Sequence, residues 1–239
     1  MQYREFEVTL PDKTAKLGIL GETHIYTPKE SNCAGEIVSQ FDSIAIEGSD
    51  RFTRVRLALL PFMPAVIALA HGSNRTSRTA KDIAEDQKKK IVRLEPNMGE
   101  SFSNKQLLAL TAIGLMTIPF TPLIYAYSKY RGEDAIKSLS ISEKKSSEPS
   151  YLERFVKFAI ESNIAERDRK MAERTRELVL TGAGNVLHVS GQAHTDGVIA
   201  NLLASQDANF QLHKRATSVI DPACEFTPRL SHPVPAVIA

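Results

Sequence analysis

The chain has 239 residues, a net charge of +2, 42% hydrophobic and 24% charged residues. That length carries one large domain or two small ones around a real core, and the balance excludes wholesale disorder. The small net charge offers no polyanion field, so no nucleic acid is expected as a partner.

Cys33 and Cys224 lie far apart with no CxxC, which excludes zinc-ribbon and thioredoxin readings. They read as free thiols of a reducing compartment, with one long-range disulfide as the alternative. The N-terminal Met-Gln-Tyr-Arg-Glu-Phe-Glu has no apolar core of a secretory signal, so a cytoplasmic location is expected.

In chain order, residues 3–10 alternate imperfectly between polar and apolar and read as an edge strand. Pro11-Asp12-Lys13 is a turn, and 16–22 is a more apolar strand. Thr27-Pro28-Lys29-Glu30 has the form of a capping box with proline at the first helical position, predicting a helix towards Phe41. Ser43 to Gly48 is a short buried strand. Strand, helix and strand over 16–48 predict a βαβ unit and a parallel sheet pair.

Residues 51–86 read as helical, ending in a solvated Lys88-Lys89-Lys90, and Lys90 to Glu95 as a strand stopped by Pro96. Residues 101–130 are apolar and helical; 138–150 read as a surface loop. A long helix is predicted over 151–181, ended by Gly182 and Gly184. Val186 to Gly191 is a buried strand, a helix opens at Asp196-Gly197, and Phe210 to Arg215 is a last strand. The fold class is therefore α/β: a mostly parallel or mixed sheet, βαβ units at both chain ends and a mainly helical middle. One domain is expected over 1–225, with a helical insertion at about 51–181 and an extended tail over 226–239.

Residues 107–127 carry no charge and are flanked by Lys105, Lys129 and Arg131; a second uncharged run covers 57–70. The first run has the length of a membrane span. Pro119, Pro122 and several threonines favour a pair of buried or lid helices broken near Pro119. Membrane contact through these two runs is the alternative.

Four predicted strands each close on a group able to ligate a metal or move a proton. Gly21-Glu22-Thr23-His24 follows the second strand, and in an extended segment Glu22 and His24 share a face. Gly191-Gln192-Ala193-His194 repeats the pattern, while Glu47 and Glu95 end the strands between. In open α/β sheets ligands bind at the carboxyl edge. Two histidines with carboxylates there can hold a divalent metal or serve as base and acid. His188, inside a strand, reads as a structural core histidine.

On the long helix, Ile160, Ile164, Met171 and Leu178 form one apolar stripe. Arg167 projects near its centre and Asp168 at its margin, whereas Glu161, Glu166, Arg169, Glu173 and Arg176 fall on the wet side. An arginine facing a core needs a partner, and Glu47 or Glu95 can supply it; a snorkelling side chain is the alternative. GxSxG, HExxH and P-loop templates are absent, and Gly182-Ala183-Gly184 lacks a third glycine for a dinucleotide site.

The order of Gly-Glu-Thr-His at 21–24, Ile-Glu-Gly-Ser-Asp at 46–50, Arg-Leu-Glu-Pro at 93–96, Glu-Arg-Asp-Arg-Lys-Met-Ala at 166–172 and Val-Ser-Gly-Gln-Ala-His-Thr-Asp-Gly at 189–197 resembles the TraB/PrgY and TIKI/GumN superfamily. That superfamily is related to the ChaN and erythromycin-esterase proteins. The resemblance covers about 17–203. Glu22 is closer to the ChaN-like form, Gly-Ser-Asp after Glu47 replaces the commoner Leu-Asp, and the apolar run lies in the middle of the chain.

The resemblance implies a hydrolase-like site of His24, Glu47, Arg167 and His194, with Glu22 and Glu95 beside them. It implies a peptide or other small-molecule substrate, cleaved at a peptide or ester bond. A divalent metal, Mn²⁺ or Co²⁺, would be held by His24, Glu47 and His194. The other expectation is a non-catalytic regulatory protein that binds a peptide pheromone or haem in the same pocket. A homodimer is a further option for partners.

Overall fold

A computed structural model describes residues 1–22, 26, 28–48, 54–73, 79–95, 102–132 and 164–219. The predicted loop 138–150, the helix start at 151–163 and the tail 226–239 lie outside the described residues, as do Thr27 and Cys224.

The described elements are β1 (Gln2–Thr9), β2 (Thr14–Glu22), α1 (Pro28–Ser39), β3 (Ser43–Ile46), α2 (Arg54–Leu59), α3 (Met63–Gly72), α4 (Ala80–Asp86), β4 (Lys90–Arg93), α5 (Asn104–Thr117), α6 (Thr121–Arg131), α7 (Ile164–Leu180), β5 (Val186–Gly191), α8 (Thr195–Ala204) and β6 (Gln211–Val219). Short 3-10 turns at Leu60–Phe62 and Ile118–Phe120 join α2 to α3 and α5 to α6. Each places a proline early in the turn, where no backbone donor is lost.

Six strands form one mixed, mostly parallel sheet in the order β4-β3-β5-β2-β1-β6. β4, β3, β5 and β2 are mutually parallel, while β1 runs antiparallel to both its neighbours. The α/β class is as the sequence predicts. Two local expectations change. β1 is not an edge strand, because β6 pairs along its outer side. β2 and β3 are parallel but not adjacent, because β5 lies between them and pairs with both.

Helices cover both faces, so the central strands read as continuous apolar runs. On one face Leu17, Ile19, Met171, Val198, Leu202 and Phe210 form a core under α7 and α8. On the other, Leu20, Ile37, Phe41, Ile44, Leu187 and Val189 pack beneath α1 and α4. Truncating a fully buried side chain such as Met171 to alanine costs about 2–5 kcal/mol.

α4 is started by a capping box of Thr79 and Asp82, and α5 by one of Ser103 and Gln106. Cys33, buried on α1, is disulfide-bonded, which corrects the free-thiol expectation for that residue. The apolar run 107–127 is covered on one side only: Leu107, Ala109 and Leu110 pack with Ala58 in a small separate cluster, and its other side is open. Leu108, Leu115, Met116, Phe120 and Leu123 are all exposed.

Candidate active site

Three adjacent parallel strands, β4, β3 and β5, end together and deliver Glu95, Glu47 and the Gly191–His194 turn to one rim. β4 is followed directly by Leu94 and Glu95, β3 by Glu47, and β5 by a 3-10 turn over Gln192–His194. The Glu47 amide donates to the carbonyl of Val189, so β3 stays aligned with β5 up to the carboxylate. This is the edge at which open α/β sheets bind ligands.

Arg167 reaches the rim from the first turn of α7 and is buried. Its Nε donates to Glu95 Oε1 at 2.7 Å and its Nη2 to Glu95 Oε2 at 2.7 Å. The same Nη2 reaches Glu47 Oε1 at 2.5 Å. The Phe102 ring centre lies 5.9 Å from the guanidinium carbon. Burial works against the Arg167 charge, but hydrogen bonds and attraction from Glu95 and then Glu47 outweigh it and raise its pKa. The guanidinium is thus a fixed cation, and its Nη1 is engaged with neither carboxylate. Removing one partner of such a buried pair costs about 3–5 kcal/mol.

Glu47 Oε2 accepts from the Gly191 amide at 2.6 Å, so both its oxygens have donors. His194 stands beside it, with Nε2 at 3.6 Å from Glu47 Oε1. Its Nδ1 lies 2.5 Å from Asp168 Oδ1. An ionised carboxylate only accepts, so this pair sets Nδ1–H and leaves Nε2 as a proton acceptor. The approach depends on Gly197: a Cβ there would sit 1.8 Å from Asp168 Oδ2.

Below the rim, on the α7 face, the buried atoms His188 Nε2, Ser190 Oγ and Thr195 Oγ1 have no hydrogen-bond partner among the described residues. His188 Nδ1 pairs with Thr175 Oγ1 at 2.7 Å. Burial lowers the His188 pKa to about 4; Glu47 opposes this and His194 adds to it. A Cβ on Gly21, which pairs with Ser190 across the ladder, would lie 2.3 Å from Thr195 Oγ1. Unpartnered buried polar atoms are costly, and grouped under the Glu47–His194 pair they suit a small polar ligand or water.

Among the predicted site residues, Glu47, Glu95, Arg167 and His194 meet in one network. His24 lies outside the described residues. Glu22 lies on the opposite face of the sheet, where Tyr26 donates to its Oε2 and the Ala80 amide donates at 3.2 Å. Burial, then the charge of Glu22, raises the Tyr26 pKa. Glu22 there complements the N-terminus of α4. Sequence reasoning put Asp168 only at the stripe margin, yet it is buried and orients His194. Its signal was adjacency to Arg167 on the same helix. Ser190 and Thr195 fall inside the 189–197 motif but carried no assigned role.

Among the described residues no group of three or more metal-ligand side chains occurs. Of the expected ligand set, His194 Nε2 and Glu47 Oε1 stand together, and Asp168 backs the histidine as an outer carboxylate does in metal sites. Glu47 Oε1 already carries the Arg167 cation. The donor set fits a divalent ion only with a further ligand such as His24. The open apolar groove between α3 and α6, about 710 Å³, includes no member of the Arg167 network in its lining. Comparison with protein-family models, curated proteins and solved structures found no match for this chain.

Proposed function

We propose that the protein is a hydrolase of the TraB/TIKI type that cleaves a peptide or ester bond at the rim where β3, β4 and β5 end. The observation that carries this reading is the buried chain Asp168–His194–Glu47–Arg167–Glu95. Asp168 orients the imidazole so that Nε2 can take a proton from water. Arg167, held by two carboxylates, presents Nη1 to a developing oxyanion or a substrate carboxylate. The unpartnered hydroxyls of Ser190 and Thr195 supply polar contacts beneath. His194, Glu47 and His24 would hold a divalent ion such as Mn²⁺ or Co²⁺, which when bound lowers the pKa of a coordinated water.

The test is turnover of a peptide and ester panel by the purified protein, with and without Mn²⁺ or Co²⁺. His194→Ala is expected to lower kcat/KM by about 10²–10⁴-fold in a protein that still folds by circular dichroism, though with a lower thermal midpoint because Asp168 loses its partner. Full activity in that variant refutes the assigned role.

A second reading is a non-catalytic protein that binds a peptide pheromone or haem in this pocket. What favours it is saturation: both Glu47 oxygens and both Glu95 oxygens already have protein donors. Tight ligand binding with no product under any metal condition selects it.

A further inference from the structure

α2–α3 and α5–α6 lie side by side and run in the same direction. Arg54 reaches Asn104 at one end, Gly114 meets Pro61 and Phe62 midway, and Gly72 meets Ser128 at the other. The Ser128 hydroxyl lies 3.2 Å from the Ala68 carbonyl. The seam is closed by these small residues together with Leu107 and Leu110, which pack with Ala58, and many of the remaining large side chains point outward. Leu108, Leu115 and Leu123 recur at a spacing that keeps one helix face, and they are 72%, 54% and 67% exposed. The Asn104–Arg131 helix has a mean hydropathy of 2.0 in its most apolar stretch, of which 17% is buried. Single exposed leucines are ordinary, but a continuous face of this kind marks an interaction surface.

Charge identifies what covers it. No Asp or Glu occurs from Arg54 to Gly72 or from Asn104 to Arg131, while Arg54, Lys105, Lys129 and Arg131 sit at the ends. Tyr125, Tyr127 and Tyr130 are exposed near the cationic C-terminal end. Cations and tyrosines flanking an apolar stretch are what a membrane interface selects. A second copy fits worse, because joining two such faces brings the cationic helix ends together with no acid within either helix pair to neutralise them.

Chain reach decides the orientation. Ala80 is anchored at Glu22 on the sheet, and the chain from Ser73 to Ala80 extends at most about 25 Å. That is less than the roughly 30 Å of bilayer hydrocarbon. The far end of the pair therefore cannot lie across a membrane from the sheet.

We propose that the α2–α3 and α5–α6 pair docks the protein in the plane of an anionic lipid bilayer, with its apolar face in the headgroup–acyl boundary. α5 starts just after Phe102, which touches Arg167, so docking sets the rim beside the lipid surface. This proposal holds whether or not the rim turns over a substrate.

The test is flotation of the full chain with phosphatidylcholine vesicles, with and without phosphatidylglycerol. Binding to the anionic vesicles is expected, weakening with salt. Leu108→Glu with Leu115→Glu and Leu123→Glu should weaken it about a hundredfold or more with unchanged circular dichroism. Lys129→Gln with Arg131→Gln leaves the apolar face intact and should weaken only the anionic preference, so the proposal remains testable if the triple variant fails to fold. Absence of wild-type binding to either vesicle overturns the proposal. So does a dimer that the triple variant dissociates while vesicle binding persists, which would make a second copy the occupant.

Discussion

His188 carries a pH dependence that can be derived from its surroundings. It is fully buried beneath the rim, and burial lowers its pKa from 6.5 to about 4. Between those values the unfolded chain holds the proton and the native chain does not. Stability from this residue is therefore complete above about pH 6.5 and is lost as pH falls towards 4, by up to about 1.4 kcal/mol per pH unit. Urea midpoints compared at pH 7 and pH 4.5 should fall for wild type more steeply than for His188→Gln. Equal slopes would show that His188 does not set the acid limit. Arg169, by contrast, pairs with Glu166 and Glu173 on the exposed face of α7, and such pairs contribute little.

The packing of α7 on α8 decides whether His194 is oriented. α7 supplies both Arg167 and Asp168, and α8 begins directly after His194 and admits Asp168 only because residue 197 is glycine. Gly197→Ala in a helix would by propensity alone stabilise by about 1 kcal/mol. Here the added methyl occupies the position of the Asp168 carboxylate. The expected outcome is net destabilisation together with loss of the Asp168–His194 hydrogen bond, read as a changed His194 tautomer by NMR. A more stable variant with an unchanged imidazole signal would mean that α8 shifts freely on α7. The same helix shows why sequence reading partly succeeded: the stripe pointed Arg167 inward, and its two carboxylates are the two that strand ends offered. The stripe could not rank Asp168, because a margin position becomes buried or wet only when the neighbouring helix is in place.

At the scale of the molecule, the sheet order predicts a gradient of protection. β5 and β3 lie between paired strands and are covered on both faces, whereas β4 is a sheet edge with partly exposed residues. Native-state hydrogen exchange should find the slowest amides in β5 and β3 and faster ones in β4. Protection of β4 equal to that of β5 would contradict the pairing.

The α/β class, the strand ends that carry Glu47, Glu95 and His194, and the inward arginine were all legible from local pattern, because apolar periodicity and polar strand closures depend on neighbours in sequence. Which strands lie side by side was not. β5 joins β2 and β3 from more than a hundred residues away, and no local pattern encodes that partner. Glu22 belongs to the same lesson: its strand position was readable, but its face follows from where α1 and α4 pack. The sequence by itself determined the elements, the rim chemistry and the two acid-free apolar runs. Only the tertiary structure decided that Arg167 bridges Glu47 and Glu95, that Asp168 orients His194, and that the apolar helices stay exposed on one side, since burial and pairing arise from contacts between distant segments.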